Sequence, residues 1–325
     1  MRLLGVELTR LRWRRAVVVL LAACVLVPAV IFAGLAWNTR PFSDADIAEA
    51  QVQVDRDTQD PYYARELKRC VNHPENYGYD PADPELESQC QAAVMPSIDN
   101  YLYRPQLNVA EERENSGVAV ITILVGLVML IGTTFAGNDW ASGSMSNQLL
   151  FEPRRIRVWL AKAAAVFLTG LVVSAAVLAA YWGAVALLAS SRDLTTSAHT
   201  WELLRNSSLR GALLVALAAL GGYALTMLFR STVATLGSLF AFTVGGSLLI
   251  VGIIGPGAEK WLLPTNFLAV LNNGVSYYSD AACGVNGEGS CQAHLSLTHG
   301  AVYLGILLVA AVVLSLWSYR RRDIP

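Results

Sequence analysis

The sequence carries little charge. Only 15% of its 325 residues are Asp, Glu, Lys or Arg, whereas a soluble globular domain carries about 25%. The deficit is concentrated in six stretches that contain no Asp, Glu, Lys, Arg or His. An apolar stretch of about 18 residues or more is long enough to cross a bilayer as a helix. The six are Ala16–Ala36, Gly117–Ala136, Ala163–Ala189, Gly211–Phe229, Ser231–Ile254 and Ala301–Ser318.

Lysine is also scarce, and its positions exclude one source of energy. None of Lys68, Lys162 and Lys260 follows a glycine, as the lysine of a phosphate-binding Gly-Lys-Ser/Thr loop must. Carriers driven by protons or sodium usually hold ionisable groups inside the membrane, and the six predicted spans hold none. If this protein transports actively, its energy must therefore come from another chain. A passive channel would share both absences.

The four histidines do not form a recognisable site. They are scattered over predicted loops or span ends, no two have the spacing of a zinc-binding helix, and no Gly-x-Ser-x-Gly sequence is present. We therefore predict that the chain is not an enzyme, with no catalytic residue, metal or cofactor of its own, and that it has no nucleic-acid partner. The histidines are His73, His199, His294 and His299.

Basic residues predict which way the chain crosses the membrane. With the N-terminus inside, the cytoplasmic segments carry 13 basic and four acidic residues. Short cytoplasmic loops are enriched in Lys and Arg, so we predict a multi-pass plasma-membrane protein with both termini in the cytoplasm. Arg230, which alone separates the fourth and fifth stretches, then lies at a cytoplasmic turn. The other 12 are Arg2, Arg10, Arg12, Arg14, Arg15, Arg154, Arg155, Arg157, Lys162, Arg320, Arg321 and Arg322.

The cysteines outside the spans all fall in segments predicted to be extracellular. Cys70 and Cys90 lie in the long loop 37–116, and Cys283 and Cys291 lie in the loop before the last span. Disulfides persist on that side of the membrane. Four cysteines allow three pairings, of which we favour Cys70–Cys90 and Cys283–Cys291, because each pair shares a loop. Free thiols are the alternative.

The N-terminal segment 1–15 precedes the first span. Its leucines recur at helical spacing and two arginines lie off that stripe, which predicts an amphipathic helix at the membrane interface. These residues could instead be simple flanking anchors of the span. A cleaved signal peptide also begins with a basic segment, but the uncharged stretch 16–36 is longer than the usual apolar region of such peptides. The leucines are Leu4, Leu8 and Leu11, and the arginines are Arg10 and Arg14.

The predicted loops have distinct characters. The extracellular lobe begins with the Ser43–Asp46 pattern of a helix capping box, and 62–71 favours a second helix. Between the fifth and sixth spans, Gly255-Pro256-Gly257 opens an apolar stretch too short to span, which suits half-helices dipping into the outer leaflet.

The predicted divisions are the amphipathic segment 1–15, spans 16–36, 117–136, 163–189, 211–229, 231–254 and 301–318, the lobe 37–116, a cytoplasmic loop 137–162, the re-entrant stretch and loop 255–300 and the tail 319–325.

The cytoplasmic loop 137–162 carries the most specific signal. Residues 149–151 are apolar although this loop should lie in water. Small residues at 142–146 would let another surface approach closely, and Pro153 would stop a helix. The arginines that follow within 154–157 would anchor the next span at the interface. The loop therefore predicts a short helix presented to a cytoplasmic partner.

The order of residue types in this loop is also informative. Short side chains lead to an acidic residue, an aromatic, a Gly-Ser pair, two leucines, Pro-Arg-Arg and a lysine at the start of the next span. The residues that carry the pattern are Asp139, Gly143, Leu149, Leu150, Pro153, Arg155 and Lys162. In this order, and in its six spans and outer loop, the chain resembles permeases of the ABC transporter type 2 superfamily.

The resemblance implies a role for the loop and for its partners. In that family the region 139–152 would be a coupling helix that seats in a groove of an ATP-binding cassette ATPase subunit, which would bind ATP and magnesium in place of this chain. The residues implied in coupling are Asp139, Trp140, Gly143, Leu149, Leu150, Phe151, Pro153 and Arg155.

These inferences combine into one hypothesis. The chain is predicted to be an all-α integral membrane protein with six transmembrane helices, an N-terminal interfacial helix and a disulfide-bearing lobe. It would act as the permease subunit of an ATP-driven exporter for a hydrophobic or amphipathic substrate, surrounded by lipid. Six spans are too few to enclose a pathway, so a homodimer or a heterodimer is expected. The alternative is a membrane receptor or sensor that does not transport and that uses the extracellular lobe.

Overall fold

The computed structural model describes residues 2–279, 282–283 and 291–321. This part of the chain is predominantly helical, in agreement with the predicted all-α class. Six helices are long and apolar enough to cross a membrane. They are Arg15–Asn38, Val109–Ala141, Arg155–Ser190, Ala198–Phe229, Thr232–Ile253 and Leu297–Arg321.

The chain divides into two compact units, residues 1–33 with 108–325 and residues 34–107. The helices, in chain order, are α1 (Arg2–Arg12), α2 (Arg15–Asn38), α3 (Asp44–Thr58), α4 (Pro61–Asn72), α5 (Leu86–Val94), α6 (Val109–Glu114), α7 (Ser116–Ala141), α8 (Ser144–Phe151), α9 (Arg155–Ser190), α10 (Ala198–Phe229), α11 (Thr232–Phe240), α12 (Gly246–Ile254), α13 (Leu263–Asn272) and α14 (Leu297–Arg321). A π-helical segment, Ala241–Gly245, joins α11 to α12, and 3₁₀ turns cover Pro74–Tyr77, Ile98–Asn100 and Pro256–Trp261.

The larger unit is built around α10, which packs against both α7 and α9. Lipid offers apolar helices no hydrophobic reason to associate, so such contacts depend on small residues that allow close approach. At Gly132 of α7, a β-carbon would collide with the carbonyl group of Ala219 on α10. The Tyr223 hydroxyl of α10 also donates a hydrogen bond to the carbonyl of Trp159 on α9, at 3.1 Å. These contacts fix the three helices as one packed core.

Two of the remaining spans, α2 and Thr232–Ile253, contribute little to this core. In the most apolar 18-residue window of Thr232–Ile253 no residue is buried, and only 17% of the corresponding window of α2 is buried. On α11 and the π segment, Phe240 and Phe242 are exposed. Such surfaces require apolar surroundings, whether lipid or another protein chain.

The helices extend beyond the uncharged stretches that predicted them. Helix α7 continues to Ala141 and α9 begins at Arg155, so the predicted loop 137–162 is mostly helical. The apolar run marks where a membrane would end, whereas a helix ends where its backbone is capped or broken. Here the break is Gly143, whose φ of 67° suits a residue without a β-carbon.

The region before the last span contains more structure than short half-helices. A 3₁₀ turn leads into α13, which ends at Asn273 in the left-handed conformation. An antiparallel hairpin follows, formed by β1 (Val275–Tyr278) and β2 (Gln292–Leu295) with Val275 opposite Leu295. A disulfide joins Cys283 to Cys291 between the two strands. Strands of four residues give too short a pattern to be recognised in the sequence.

The smaller unit contains α3, α4 and α5. The capping box predicted at the start of α3 is present, since the Ser43 side chain and the Asp46 carboxylate each bond to the other's backbone amide. The Ser43 backbone amide, and after it the Ser43 hydroxyl, donate to the Asp46 carboxylate and hold its pKa below the usual value. A disulfide between buried Cys70 and Cys90 joins α4 to α5. Both disulfides are the pairings that the shared loops favoured.

Two tyrosines of this unit are engaged in its own packing. The Tyr77 hydroxyl donates to Glu66, and the Tyr101 hydroxyl donates to Asp57. The hydrogen bond to Asp57 raises the pKa of Tyr101 to about 12, because losing the phenolic proton would leave two negative charges in contact. Tyr103, by contrast, is almost fully exposed.

The close contact between α7 and α10 is testable with two glycines on one helix. We expect Gly132→Ala to destabilise the purified protein by about 1–3 kcal/mol, because the added methyl group overpacks the helix contact. The matched control is Gly126→Ala, since a β-carbon there would meet nothing within 4 Å. Thermal unfolding in detergent, followed by circular dichroism, measures both variants. Equal melting temperatures would contradict the packing described.

Candidate functional site

Helix α8 is a separate short helix between two long ones. Gly143 turns the chain after α7, and α8 runs over Ser144–Phe151. Glu152 and Pro153 separate it from α9, since proline has no amide hydrogen with which to continue a helix. The sequence thus sets both ends of α8 and leaves it free to take its own direction.

One side of α8 is held and its end is exposed. Met145 is buried, and the Tyr319 hydroxyl of α14 lies 3.3 Å from its sulfur. Leu150 and Phe151 are 80% and 88% exposed, whereas Leu149 is only partly exposed. Two adjacent large apolar side chains exposed this fully are the kind of feature that marks a contact surface. We call Leu150 and Phe151 the α8 tip.

A buried group of charges lies next to α8. The Lys162 ammonium nitrogen is 2.8 Å from Glu7 Oε2 and 2.6 Å from Asp139 Oδ2. All three side chains are completely buried. Arg14 also pairs with Asp139, and Arg10 pairs with Glu7 at 3.4 Å. We call these five residues the ion cluster.

The ion cluster joins three helices. Glu7 comes from α1, which packs along α9, and it lies on the same helix face as buried Leu11. Asp139 comes from the last turn of α7, and Lys162 lies two turns into α9. Arg14 stands in the short break between α1 and α2, where it also donates to the Phe135 carbonyl of α7 at 2.6 Å. The break lets one arginine bridge from the N-terminal segment to α7.

Helix α8 is tied to the ion cluster through two of its polar side chains. Ser144 donates to Asp139 Oδ1 at 2.7 Å. Gln148 donates to Glu7 and accepts from Arg10 at 3.1 Å. Because Asp139 and Glu7 are also the two partners of Lys162, a displacement of α8 must disturb contacts on α1, α7 and α9 together.

Charge balance explains why the carboxylates can be buried. A buried ion is costly unless its partners and hydrogen bonds replace water. The two carboxylates here face one lysine and two arginines, and each accepts an additional hydrogen bond from α8. Such a cluster adds little to the free energy of unfolding. It makes other arrangements of the helices unfavourable, because removing one ion leaves another buried without compensation. It therefore fixes the relative positions of the helices it joins.

The residues implied in coupling take different roles in the structure. Asp139 is buried in the ion cluster and does not face outward. Trp140 lies between Tyr319, at 6.3 Å between ring centroids, and the Arg230 guanidinium, at 4.7 Å. Arg155 donates to the carbonyls of Tyr319 and Arg320 on α14, at 3.3 and 3.4 Å. Gly143 and Pro153 shape the ends of α8, and the α8 tip is the part that is exposed.

Sequence reasoning missed half of this site. It did not assign Ser144, Gln148, Glu7, Arg10 or Arg14 to the site, although Glu7 offered a signal. It is the only acidic residue among the first 43, and its position between the leucines of a helical stripe places it on the face that packs. An acidic residue on the apolar face of a basic helix requires a buried cation, and Lys162 is the only lysine between residues 69 and 259.

Removing the central cation tests the ion cluster. We expect Lys162→Met to lower the free energy of unfolding by about 3–5 kcal/mol, because two carboxylates lose their buried partner. The double variant Lys162→Met with Asp139→Asn should be less destabilised than the sum of its single variants. Thermal unfolding in detergent measures the cycle, with exposed Arg12→Met as the control for loss of one cation. Additive effects would show that Lys162 and Asp139 do not interact.

The site as described offers electrostatic and mechanical linkage between helices. Among the described residues, no three His, Cys, Asp or Glu side chains are grouped as metal ligands would be. No protein-family model, curated protein or solved structure matches the chain.

Proposed function

We propose that this chain is the permease subunit of an ATP-binding cassette exporter. It would form the membrane pathway for a hydrophobic or amphipathic substrate and be driven by a separate ATPase subunit that binds ATP and magnesium. The observation that carries the proposal is the attachment of the α8 tip, which is exposed and apolar, to a buried ion cluster that joins α1, α7 and α9. This is the arrangement required of an element that receives a push and passes it to the membrane helices.

The proposed orientation places α8 where an ATPase can reach it. Both termini, α1, the ion cluster and α8 would lie on the cytoplasmic side, in accord with the excess of basic residues in those segments. Residues 34–107 and the hairpin region before α14 would then lie outside. Their two disulfides support this orientation, because disulfides persist in extracellular compartments.

Coupling would work through displacement of α8 as a unit. The ATPase subunit would bind the α8 tip and move it on closing around ATP. Ser144 and Gln148 would carry that movement to Asp139 and Glu7, and their shared partner Lys162 would transmit it to α9. Because α7, α9 and α10 are closely packed, we expect them to respond as rigid rods and not by local bending.

The pathway itself would need a second permease copy, in a homodimer or a heterodimer with a similar chain. Helices α2 and α11–α12 leave broad apolar surfaces uncovered within one chain, which is compatible with a shared, apolar route. Of the aromatic side chains in the spans, Phe240 and Phe242 are exposed, whereas Phe135 and Tyr223 are buried between helices. The exposed pair are therefore the better candidates for contact with substrate.

The alternative function is a membrane receptor or sensor that does not transport. The observation that favours it is the independent compactness of residues 34–107, which have their own capped helices and disulfide. A receptor of this kind would have no need for a bound ATPase. Association with an ATPase therefore separates the two proposals.

The α8 tip provides the test. We expect wild-type protein, purified in mild detergent from its native membrane, to carry vanadate-sensitive ATPase activity on a second chain. Leu150→Asp with Phe151→Asp should reduce that activity at least about tenfold, because burial of two large side chains contributes several kcal/mol at an interface. The matched control is Ile47→Asp with Val52→Asp, which places the same charges on exposed apolar residues of α3.

Two outcomes would contradict the proposal. Wild-type protein without associated ATPase activity would favour the receptor. Equal loss of activity in the α8 and α3 variants would show that added charge, and not the α8 tip, disrupts the complex. Unchanged membrane levels and melting temperatures of all variants would exclude a general folding defect.

A further inference from the structure

A second site of concentrated charge lies at the start of α9, away from the ion cluster. A cavity of about 420 Å³ opens where the first turn of α9 meets the last turn of α14. Four of its five lining residues are arginines. The lining residues are Arg154, Arg155, Ile156, Arg157 and Arg320.

The residues that line the cavity are basic or apolar. None of its lining residues is acidic, and Arg154, Arg157 and Arg320 form no ion pair with a carboxylate of the described residues. In the ion cluster, by contrast, every cation has a carboxylate partner. Arg154, Arg157 and Arg320 place three like charges around one cavity, so an anion bound among them would be favoured.

The local backbone holds these arginines together. Arg155 donates to the Tyr319 and Arg320 carbonyls, which fixes α9 against the end of α14. The Trp159 indole nitrogen of α9 also donates to the Ser315 hydroxyl of α14 at 3.1 Å, one turn deeper. The cavity is therefore formed by two anchored helix ends and not by mobile side chains alone.

The surroundings of the cavity suit an amphiphile better than a free ion. Ile156, Leu160, Leu314 and Trp317 are exposed on the same two helices, within two turns of the arginines. Both helices enter the predicted membrane from this end, and tryptophan is enriched at membrane interfaces. Basic pockets between transmembrane helices bind anionic lipid headgroups, and the guanidinium fork matches the geometry of phosphate oxygens.

We propose that this cavity binds the phosphate headgroup of an anionic phospholipid, whose acyl chains lie along the exposed apolar side chains of α9 and α14. The bound lipid supplies negative charge to Arg154, Arg157 and Arg320. It also sits directly after Pro153, where α8 gives way to α9, and so stabilises the junction between these helices. The proposal does not depend on an ATPase partner.

Native mass spectrometry of the detergent-purified protein tests the site. We expect phosphatidylglycerol to bind in preference to phosphatidylcholine with the same acyl chains. Arg154→Gln with Arg157→Gln should weaken phosphatidylglycerol binding about 30-fold, corresponding to about 2 kcal/mol for two basic residues at an anionic surface. The matched control is Arg12→Gln with Arg15→Gln, which removes two exposed cations outside the cavity. The control should bind as the wild type does.

Three results would overturn the proposal. If both variant pairs weakened phosphatidylglycerol binding equally, the binding would depend on overall surface charge and not on the cavity. Equal binding of the two lipids would remove the preference for an anion. Displacement of phosphatidylglycerol by inorganic phosphate at millimolar concentration would identify free phosphate as the ligand in place of lipid. Arg154→Lys with Arg157→Lys keeps the charge, and intermediate binding by this variant would support recognition through the guanidinium fork.

Discussion

The contact of Lys162 with Glu7 and Asp139 is the interaction on which the arrangement at this end of the molecule depends. It brings together one residue from each of α1, α7 and α9 with no exposed surface. Ions in such a place must be fully compensated, and the compensation here comes from Arg14, Arg10, Ser144 and Gln148. Each of these contributes only if its own segment is in position. The cluster can therefore form completely only when four helices, and the break between α1 and α2, are in their folded positions.

Different forces hold the two ends of the same helices. Along the spans, α7, α9 and α10 associate through close approach, as at Gly132, because lipid provides no hydrophobic drive between apolar helices. At the α8 end, charges and hydrogen bonds take over. Close packing tolerates little deformation, and the ion cluster resists rearrangement because a buried ion that lost its partner would be uncompensated. Neither end can therefore absorb a displacement of α8 locally, and the displacement would pass to the helices.

The features that depend on residues adjacent in the chain could be predicted from the sequence. The six spans follow from uncharged runs, the start of α3 follows from the Ser43–Asp46 pattern, and the end of α8 follows from Pro153. The sequence did not predict that Asp139 and Lys162 would be buried. Both belong to the loop 137–162 that is predicted to be cytoplasmic, and their pairing is set by tertiary contacts that no neighbouring residue indicates. Glu7 is separated from Lys162 by 155 residues, and only folding brings them together.

The ion cluster and the arginine cavity differ in how their charges are compensated, although both include residues from the first turns of α9. The ion cluster is complete, since residues of the chain itself supply its carboxylates, and burial is possible because of that balance. In the arginine cavity, Arg154, Arg157 and Arg320 converge without a carboxylate partner among the described residues, and the cavity is open at the surface. An open site can exchange its counter-ion with the surroundings, whereas a buried one cannot without moving helices. Because Arg155 and Lys162 are two turns apart on one rigid helix, an anion that holds the first turn of α9 also sets the position from which Lys162 meets its carboxylates.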